Sequence, residues 1–188
     1  MLPQRGKRND VSSGLETAAT RVAEGDLAAF RDVVTQTSAT LYRLAARLMG
    51  NTADAEDALQ DAYLRAFNAL RARRFDGRSD IRTWLYRIVT NACLDGLRRR
   101  RVRPVPAGDL PDGSFDGQVP AEARMALREL DRWLGELPAD QRAVLVLRFV
   151  EGLTSAEVAE ILGCSEGAVE QRLVRARASL RLRGQEND

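Results

Sequence analysis

The stretch TSAEVAEILGCSEGAVEQRLVRARASLR, residues 154–181, has the pattern of two short helices joined by a tight turn. Thr154 and Glu157 have the spacing of a capping box, in which each side chain bonds a backbone N–H at a helix start. Gly163 is the residue type expected where a helix ends in a left-handed conformation, and Ser165 is suited to cap the next helix. The stretch therefore predicts a helix-turn-helix.

The second helix of this pair has an apolar face and a polar face. Val169, Leu173, Ala176 and Leu180 recur at helical spacing and predict the packed side. The opposite face, centred near Gln171, has arginines around it and could enter the major groove of DNA. A packed helical hairpin with a merely solvated basic face has the same pattern, so this stretch alone leaves both interpretations open.

Composition limits the classes of function that the chain can have. It has 188 residues, 44% hydrophobic and 30% charged, with a net charge of +2. The longest apolar run, AVLVL at 143–147, is too short to cross a bilayer, and residues 1–10 lack the apolar core of a secretion signal. We therefore expect a cytoplasmic protein without membrane insertion.

Residues that carry catalysis or hold metals are scarce. The chain has no histidine, one lysine (Lys7), no CxxC pair and no glycine-rich phosphate loop. We expect no enzyme activity, no metal, no cofactor and no small-molecule substrate. Cys93 and Cys164 each lie beside small apolar residues, which predicts buried, reduced thiols and leaves a redox role open.

The pattern along the chain predicts an all-α fold of two small helical domains joined by a flexible linker, the second ending in the helix-turn-helix. Helical periodicity is lost over residues 104–120, which hold four of the six prolines of the chain. The predicted parts are a disordered tail at 1–14, a first domain at 15–103, the linker at 104–120, a second domain at 121–183 and a tail at 184–188.

Three separated stretches resemble the motifs of one family, the bacterial RNA polymerase sigma factors, in their compact extracytoplasmic-function group. They are DAEDALQDAYLRAF at 54–67, FDGRSDIRTWLYRIVTNACLDGLRRRR at 75–101, and the segment 137–181. The resemblance implies a sigma two and a sigma four domain. It also implies three partners: core RNA polymerase, promoter DNA (duplex at minus thirty-five, single-stranded at minus ten) and an anti-sigma factor.

The first motif is an acidic helix. Asp54, Asp57 and Asp61 lie three and four residues apart and share one face, which suits a basic partner. A solvated face with an internal Asp61–Arg65 pair is the alternative. By the resemblance, core polymerase would be bound by Asp54, Glu56, Asp57, Gln60, Asp61 and Arg65.

The second motif combines a short loop with a helix that ends in an arginine run. Aromatic and amide groups can hold unstacked bases, and arginines can contact phosphates. Trp84 and Ile88 are expected in the core, and the arginine run could simply solvate a helix end. By the resemblance, minus-ten DNA would be bound by Phe75, Asp76, Gly77, Arg78, Ser79, Tyr86, Arg87, Asn91, Arg98, Arg99, Arg100 and Arg101.

The third motif contains the helix-turn-helix. Many relatives have a basic residue where this chain has Glu170 and a serine where it has Gln171. Since glutamine can pair with adenine and glutamate can accept from cytosine, a different promoter sequence is implied. By the resemblance, the minus-thirty-five element would be contacted by Ser165, Glu170, Gln171, Arg172, Val174, Arg175 and Arg177.

Two other functions account for part of the sequence. A stand-alone helix-turn-helix regulator would use the same recognition helix, commonly as a dimer, but leaves the first two motifs unexplained. A helical enzyme acting on nucleic acid would need a catalytic cluster that the sequence does not offer.

Overall fold

The computed structural model describes residues 6–102 and 131–186, with side chains over 13–99 and 131–182. These residues form helices and turns without a strand, which confirms the all-helical prediction. The predicted linker and residues 121–130 of the predicted second domain lie outside the described residues. The elements are α1 (Gly6–Ala23), a 3-10 turn (Leu27–Ala29), α2 (Phe30–Met49), α3 (Thr52–Arg71), α4 (Ile81–Val102), a helical segment at 131–136, α5 (Ala139–Leu145), a π-helical turn (Val146–Val150), α6 (Ser155–Leu162) and α7 (Glu166–Glu186).

Local signals fix the ends of the helices in the first unit. Gly50 closes α2 in the left-handed conformation, at φ 76°. The Asn51 side chain accepts from the Asp54 backbone N–H at 2.9 Å and starts α3. The Asp80 side chain accepts from the Arg82 backbone N–H at 2.7 Å at the start of α4. The α2–α3 connection and the start of α4 are therefore fixed by residues close in sequence.

Helices α1 to α4 pack around one core. Leu41 and Leu44 of α2, Leu70 of α3 and Leu85 of α4 are 2% exposed or less. The buried face of α3 is made almost wholly of alanines, at 55, 58, 62 and 66. Because helix separation depends on the side chains at the contact, this alanine face lets α3 lie close to its neighbours while its other faces stay free.

Helix α1 begins earlier than the sequence predicted. Residues 1–14 were expected to be a disordered tail, but α1 starts at Gly6. Its buried residues Leu15, Ala18, Ala19 and Val22 form one stripe on the core. Once these residues dock, each residue added at the N-terminal side gains a backbone hydrogen bond without a new nucleation cost, so the helix extends into polar sequence.

The second unit has the predicted helix-turn-helix. The capping box at Thr154 and Glu157 is present, and Gly163 ends α6 at φ 62°. Val158, Val169 and Leu173 are at most 2% exposed, so α6 and α7 share a packed interior. Helix α7 runs to Glu186, three residues past the predicted domain end at 183.

The two units pack against each other, with α4 against α6 and the end of α2 against α5. Arg142 of α5 lies in this interface and is 6% exposed. Its guanidinium donates to the carbonyl of Leu48 at 2.7 Å, and also to the carbonyls of Gly135 and Leu137. Burial lowers the pKa of Arg142. This buried arginine therefore caps the last turn of α2 from the other unit.

Candidate functional site

The exposed face of α7 carries a narrow stripe of residues, with one or two of them on each successive helix turn. Its members Gly167, Glu170, Gln171, Val174 and Ala178 are exposed; Glu170 and Gln171 are adjacent, and the others follow at intervals of three or four residues. The stripe offers a carboxylate, an amide and a methyl-bearing surface, which match donors, acceptors and thymine methyl groups at the edges of bases. Its small end residues would let the helix backbone come close to DNA.

Two predicted residues on this face are held by their own domain. Glu170 accepts a hydrogen bond from the Ser155 hydroxyl of α6 at 2.6 Å. Ser165 accepts from the Ala168 backbone N–H at 3.2 Å and so caps α7, as the sequence predicted. One oxygen of Glu170 is thus oriented by α6.

The predicted arginines of α7 separate into two groups. Arg172 is half-buried, 3.8 Å from the Asp140 carboxylate and 3.3 Å from the Cys164 sulfur, so it points into the domain. Arg175 is exposed, and Arg177 lies 5.2 Å from the centre of the Phe149 ring. Only the second group faces outward, where phosphate contacts are possible.

The α3–α4 loop, residues 75–79, is exposed at its tip and anchored at its entry. The Phe75 ring lies 5.2 Å from the Trp84 ring at an interplanar angle of 54°. Asp76, Gly77 and Arg78 are exposed, and Ser79 is half-buried. Arg78 donates through its backbone N–H to Asp76 at 3.1 Å, and Gly77 has φ 69°. The loop is a compact polar turn beside two aromatic rings.

One face of α4 continues from this loop. Arg87 and Asn91 are exposed and four residues apart, and Arg98 follows two turns later. Arg99 is also exposed, whereas the side chains of Arg100 and Arg101 lie outside the described part of the chain. An amide and several cations therefore line a path that leads away from the loop, as a strand-binding surface requires.

Trp84 and Ile88 were expected in the core. Both are partly buried and pack against it.

Tyr86 differs from the rest of this set because the second unit covers it. It is 7% exposed, and its hydroxyl donates to the Glu151 carboxylate at 2.7 Å. Burial, and then the charge of Glu151, raise the pKa of Tyr86. Arg47 lies 3.9 Å from the other oxygen of Glu151. In this arrangement of the units, Tyr86 is not accessible to a base.

The acidic face of α3 lines a polar groove of about 440 Å³ between α3 and α4. Asp54, Asp57 and Asp61 contribute carboxylates, and Arg65 bonds Asp61 at 2.6 Å. The Asp61 bond is the main cause of the raised pKa of Arg65, which also lies 3.4 Å from Asp95. Both partners in the Asp61–Arg65 pair are more than 40% exposed, so the pair adds little to stability.

A second, apolar groove of about 730 Å³ lies along the same helix and was only partly anticipated from the sequence. Leu59 and Phe67 lie in the acidic motif at 54–67, where the sequence alone predicts that they offer apolar surface on α3. Leu64, 59% exposed, and Leu27, 47% exposed, were missed. Leu64 lies midway between the buried Ala62 and Ala66 and so off the packed face, and an exposed leucine there is the signal that could have identified the groove. Glu56, Asp57 and Gln60 also line it, so both grooves meet at Asp57.

The cysteines differ in environment. Cys93 is fully buried as predicted, and burial raises the pKa of its thiol to about 12. Cys164 is half-buried in the helix-turn-helix, so the prediction of a buried thiol is wrong there. Neither forms a disulfide. In the described ranges, no helix is long and apolar enough to cross a membrane, and no cluster of three potential metal ligands occurs.

Comparison with known proteins gives two family matches. The model of Sigma-70 region 2 matches residues 33–103, and that of Sigma-70 region 4 matches residues 127–180. The chain is 40% identical over 170 residues to the ECF RNA polymerase sigma factor SigM of Mycobacterium tuberculosis, covering 89% of this chain and 83% of SigM. It is 31% identical to SigW of Bacillus subtilis, covering 86% and 91% of the two chains.

Two solved structures are also similar. CnrH in complex with the cytosolic domain of CnrY aligns with a TM-score of 0.68 and 30% identity, covering 93% of this chain and 99% of CnrH. The sigma factor RpoE in complex with the anti-sigma factor NepR, from Bartonella quintana, aligns with a TM-score of 0.62 and 27% identity. That alignment covers 81% of this chain and 94% of RpoE.

Proposed function

This chain belongs to the extracytoplasmic-function RNA polymerase sigma factors, and we propose that it binds core RNA polymerase and directs promoter-specific initiation of transcription. Sigma factors are not enzymes, so its work is binding. The observation that carries the proposal is that one chain has two separate exposed polar surfaces whose side chains suit DNA: the loop at 75–79 with the outer face of α4, and the exposed stripe of α7.

Core polymerase would dock on α3. The apolar groove supplies area whose burial drives association, and the carboxylates at its border supply complementarity to a basic partner. Asp57 lies in both grooves, so a positive charge there would oppose docking at the centre of the surface.

The test is the double substitution Asp57→Arg with Asp61→Arg. Loss of binding to core polymerase with an unchanged circular dichroism spectrum is expected. The matched control is Glu16→Arg with Glu24→Arg, two exposed acids outside both grooves with the same change in charge. Equal affinity of the two double variants for core polymerase would refute the docking surface.

Single-stranded minus-ten DNA would run over the loop and α4. Asn91 can pair with a base edge, and Arg87 and Arg98 can hold phosphates on either side of it. Asn91→Ala should therefore impair strand opening more than binding of the closed promoter. Permanganate reactivity of unpaired thymines measures the first and a filter assay the second; equal losses in both would remove Asn91 from this role.

Duplex minus-thirty-five DNA would be read by α7. Gln171, Glu170 and Val174 would face base edges, while Arg175 would position the helix on a phosphate. Gln171→Ala should change base preference at one position, and Arg175→Ala should weaken all sequences alike. If Gln171→Ala instead weakened binding to all promoter variants equally, Gln171 would be a residue that positions the helix and does not read a base.

The packed units would have to separate on the promoter. The two elements lie about 25 base pairs apart by their names, or about 85 Å at 3.4 Å per base pair. Helices α4 and α6 touch in the packed arrangement, so one unit cannot reach each element without breaking that contact. Separation would also release Tyr86 from Glu151 and expose it near the minus-ten surface.

The similar structure of RpoE contains the anti-sigma factor NepR, and we propose that a protein of this kind also controls this chain. Because polymerase and promoter are its proposed partners, we place the protein in the cytoplasm. A stand-alone regulator would leave the α3 grooves and the α3–α4 loop without a role. A dimer that footprints a palindrome without polymerase would favour the regulator.

A further inference from the structure

Arg73 has an unusual backbone conformation for its residue type. Among the described residues it is the only non-glycine with positive φ, at 52°. It follows the C-terminal end of α3: its N–H donates to the Leu70 carbonyl, and the N–H of Arg74 donates to the Ala69 carbonyl, each at 2.9 Å. These two bonds form a Schellman motif, in which glycine usually occupies the position of Arg73. A side chain there carries backbone strain that glycine would avoid.

The side chain of Arg73 makes a contact that glycine could not make. Its Nε donates to the carbonyl of Ala23, the last residue of α1, at 3.2 Å. The last carbonyls of a helix lack partners within the helix, and a positive charge suits this end of the helix dipole. Arg73 thus ends α3 with its backbone and caps α1 with its side chain.

This double contact lies immediately before the exposed loop at 75–79. The loop has two further anchors, the Phe75 ring against Trp84 and the Asp80 cap of α4. Without the Arg73 side chain, the residues that lead from α3 into the loop lose their hydrogen bond to α1 and are attached only by the backbone of α3 until Phe75. The segment between the anchors is exposed, so its shape depends on how firmly its ends are held.

We infer that Arg73 is a positioning residue for promoter opening: its bond to α1 fixes the loop that receives the minus-ten strand. The inference rests on the proposed function of that loop. A pre-formed loop loses less conformational entropy when DNA binds, so the contact acts on opening and leaves polymerase docking on α3 unaffected.

Arg73→Gly separates this role from a structural one. Glycine adopts positive φ without strain, so the variant should unfold at the same temperature as the unmodified protein or higher. It removes the bond to Ala23. We expect unchanged affinity for core polymerase, faster amide hydrogen exchange at residues 76–80, and promoter opening reduced about tenfold, the effect of about 1.4 kcal/mol. Arg73→Lys, which keeps a charged donor, should recover part of the opening.

Arg74→Ala is the matched control, because it removes the neighbouring exposed positive charge and leaves the Arg73 contact intact. Normal opening by this variant together with a defect in Arg73→Gly supports the inference. Equal opening by Arg73→Gly and the unmodified protein would overturn it. Equal defects in both variants would also overturn it, since charge alone would then explain the loss.

Failure of the proposed function has a different signature. If the unmodified protein supports no transcription, the sigma-factor proposal fails, and hydrogen exchange still decides whether Arg73 orders the loop. Unchanged exchange at residues 76–80 in Arg73→Gly would then refute the positioning role as well.

Discussion

Replacing Arg142 with methionine should destabilise both units, because this side chain crosses between them. Two of its hydrogen bonds are short, to the carbonyls of Leu48 and Gly135, and bonds from a charged donor contribute about 1.5–3 kcal/mol each. Their loss costs about 3–6 kcal/mol. The buried Nε has no partner, and removing it returns about 1–3 kcal/mol. The net loss is about 3 kcal/mol, or about 6–12 °C in melting temperature for a chain of this size.

Urea denaturation can test this value with two probes. Circular dichroism follows the helices, and fluorescence follows Trp84 in the first unit and Trp133 in the second. The matched control is Arg148→Met, since Arg148 is half-buried and donates to the carbonyl of Leu153 within its own unit. A loss below about 1 kcal/mol for Arg142→Met, or a loss equal to that of the control, would refute the reasoning from Leu48 and Gly135.

Three more predictions concern pH, opening of the units and base preference. Burial holds the pKa of Cys93 near 12 in the folded protein against 9.0 unfolded, so the unfolded state loses its proton first and stability falls as pH rises above about 9. Cys93→Ala should lessen that fall in melts between pH 8 and 10, below the range in which the raised pKa of Tyr86 adds a similar loss; an unchanged slope would assign it to other groups. Glu151→Gln should weaken the contact with Tyr86 and increase the separation of dyes placed on the two units, whereas an unchanged distance would show that Glu151 does not hold them together. Ser155→Ala frees the Glu170 carboxylate and should reduce discrimination at one minus-thirty-five position by several-fold in a promoter library, while an unchanged profile would limit Ser155 to a structural role.

Local chemistry made much of the fold predictable. The Thr154–Glu157 capping box and the left-handed Gly163 each depend on residues close in sequence, and so do the caps at Asn51 and Asp80. Such signals need no tertiary information. The start of α1 was missed because residues 6–14 are helical only as an extension of a docked segment. Docking is a tertiary event that a polar stretch does not reveal.

The residues of the candidate sites could be predicted from the sequence, but the exposure of some of their side chains could not. The outward positions of Asn91 and Gln171 follow from helical period alone. The inward direction of Arg172 depends on Asp140, 32 positions earlier, and the burial of Tyr86 depends on Glu151 in the other unit. The left-handed conformation of Arg73 is not visible in the sequence, because arginine rarely adopts it.

Run-off transcription tests the central proposal most directly. Purified protein and sigma-free bacterial core polymerase would be given a pooled library of genomic fragments, with the Asp57→Arg, Asp61→Arg protein as control. We predict discrete start sites that share two spaced upstream elements and that disappear with the control. Absence of any specific transcript, with duplex binding by the protein alone retained, would contradict the sigma-factor function and favour a stand-alone regulator.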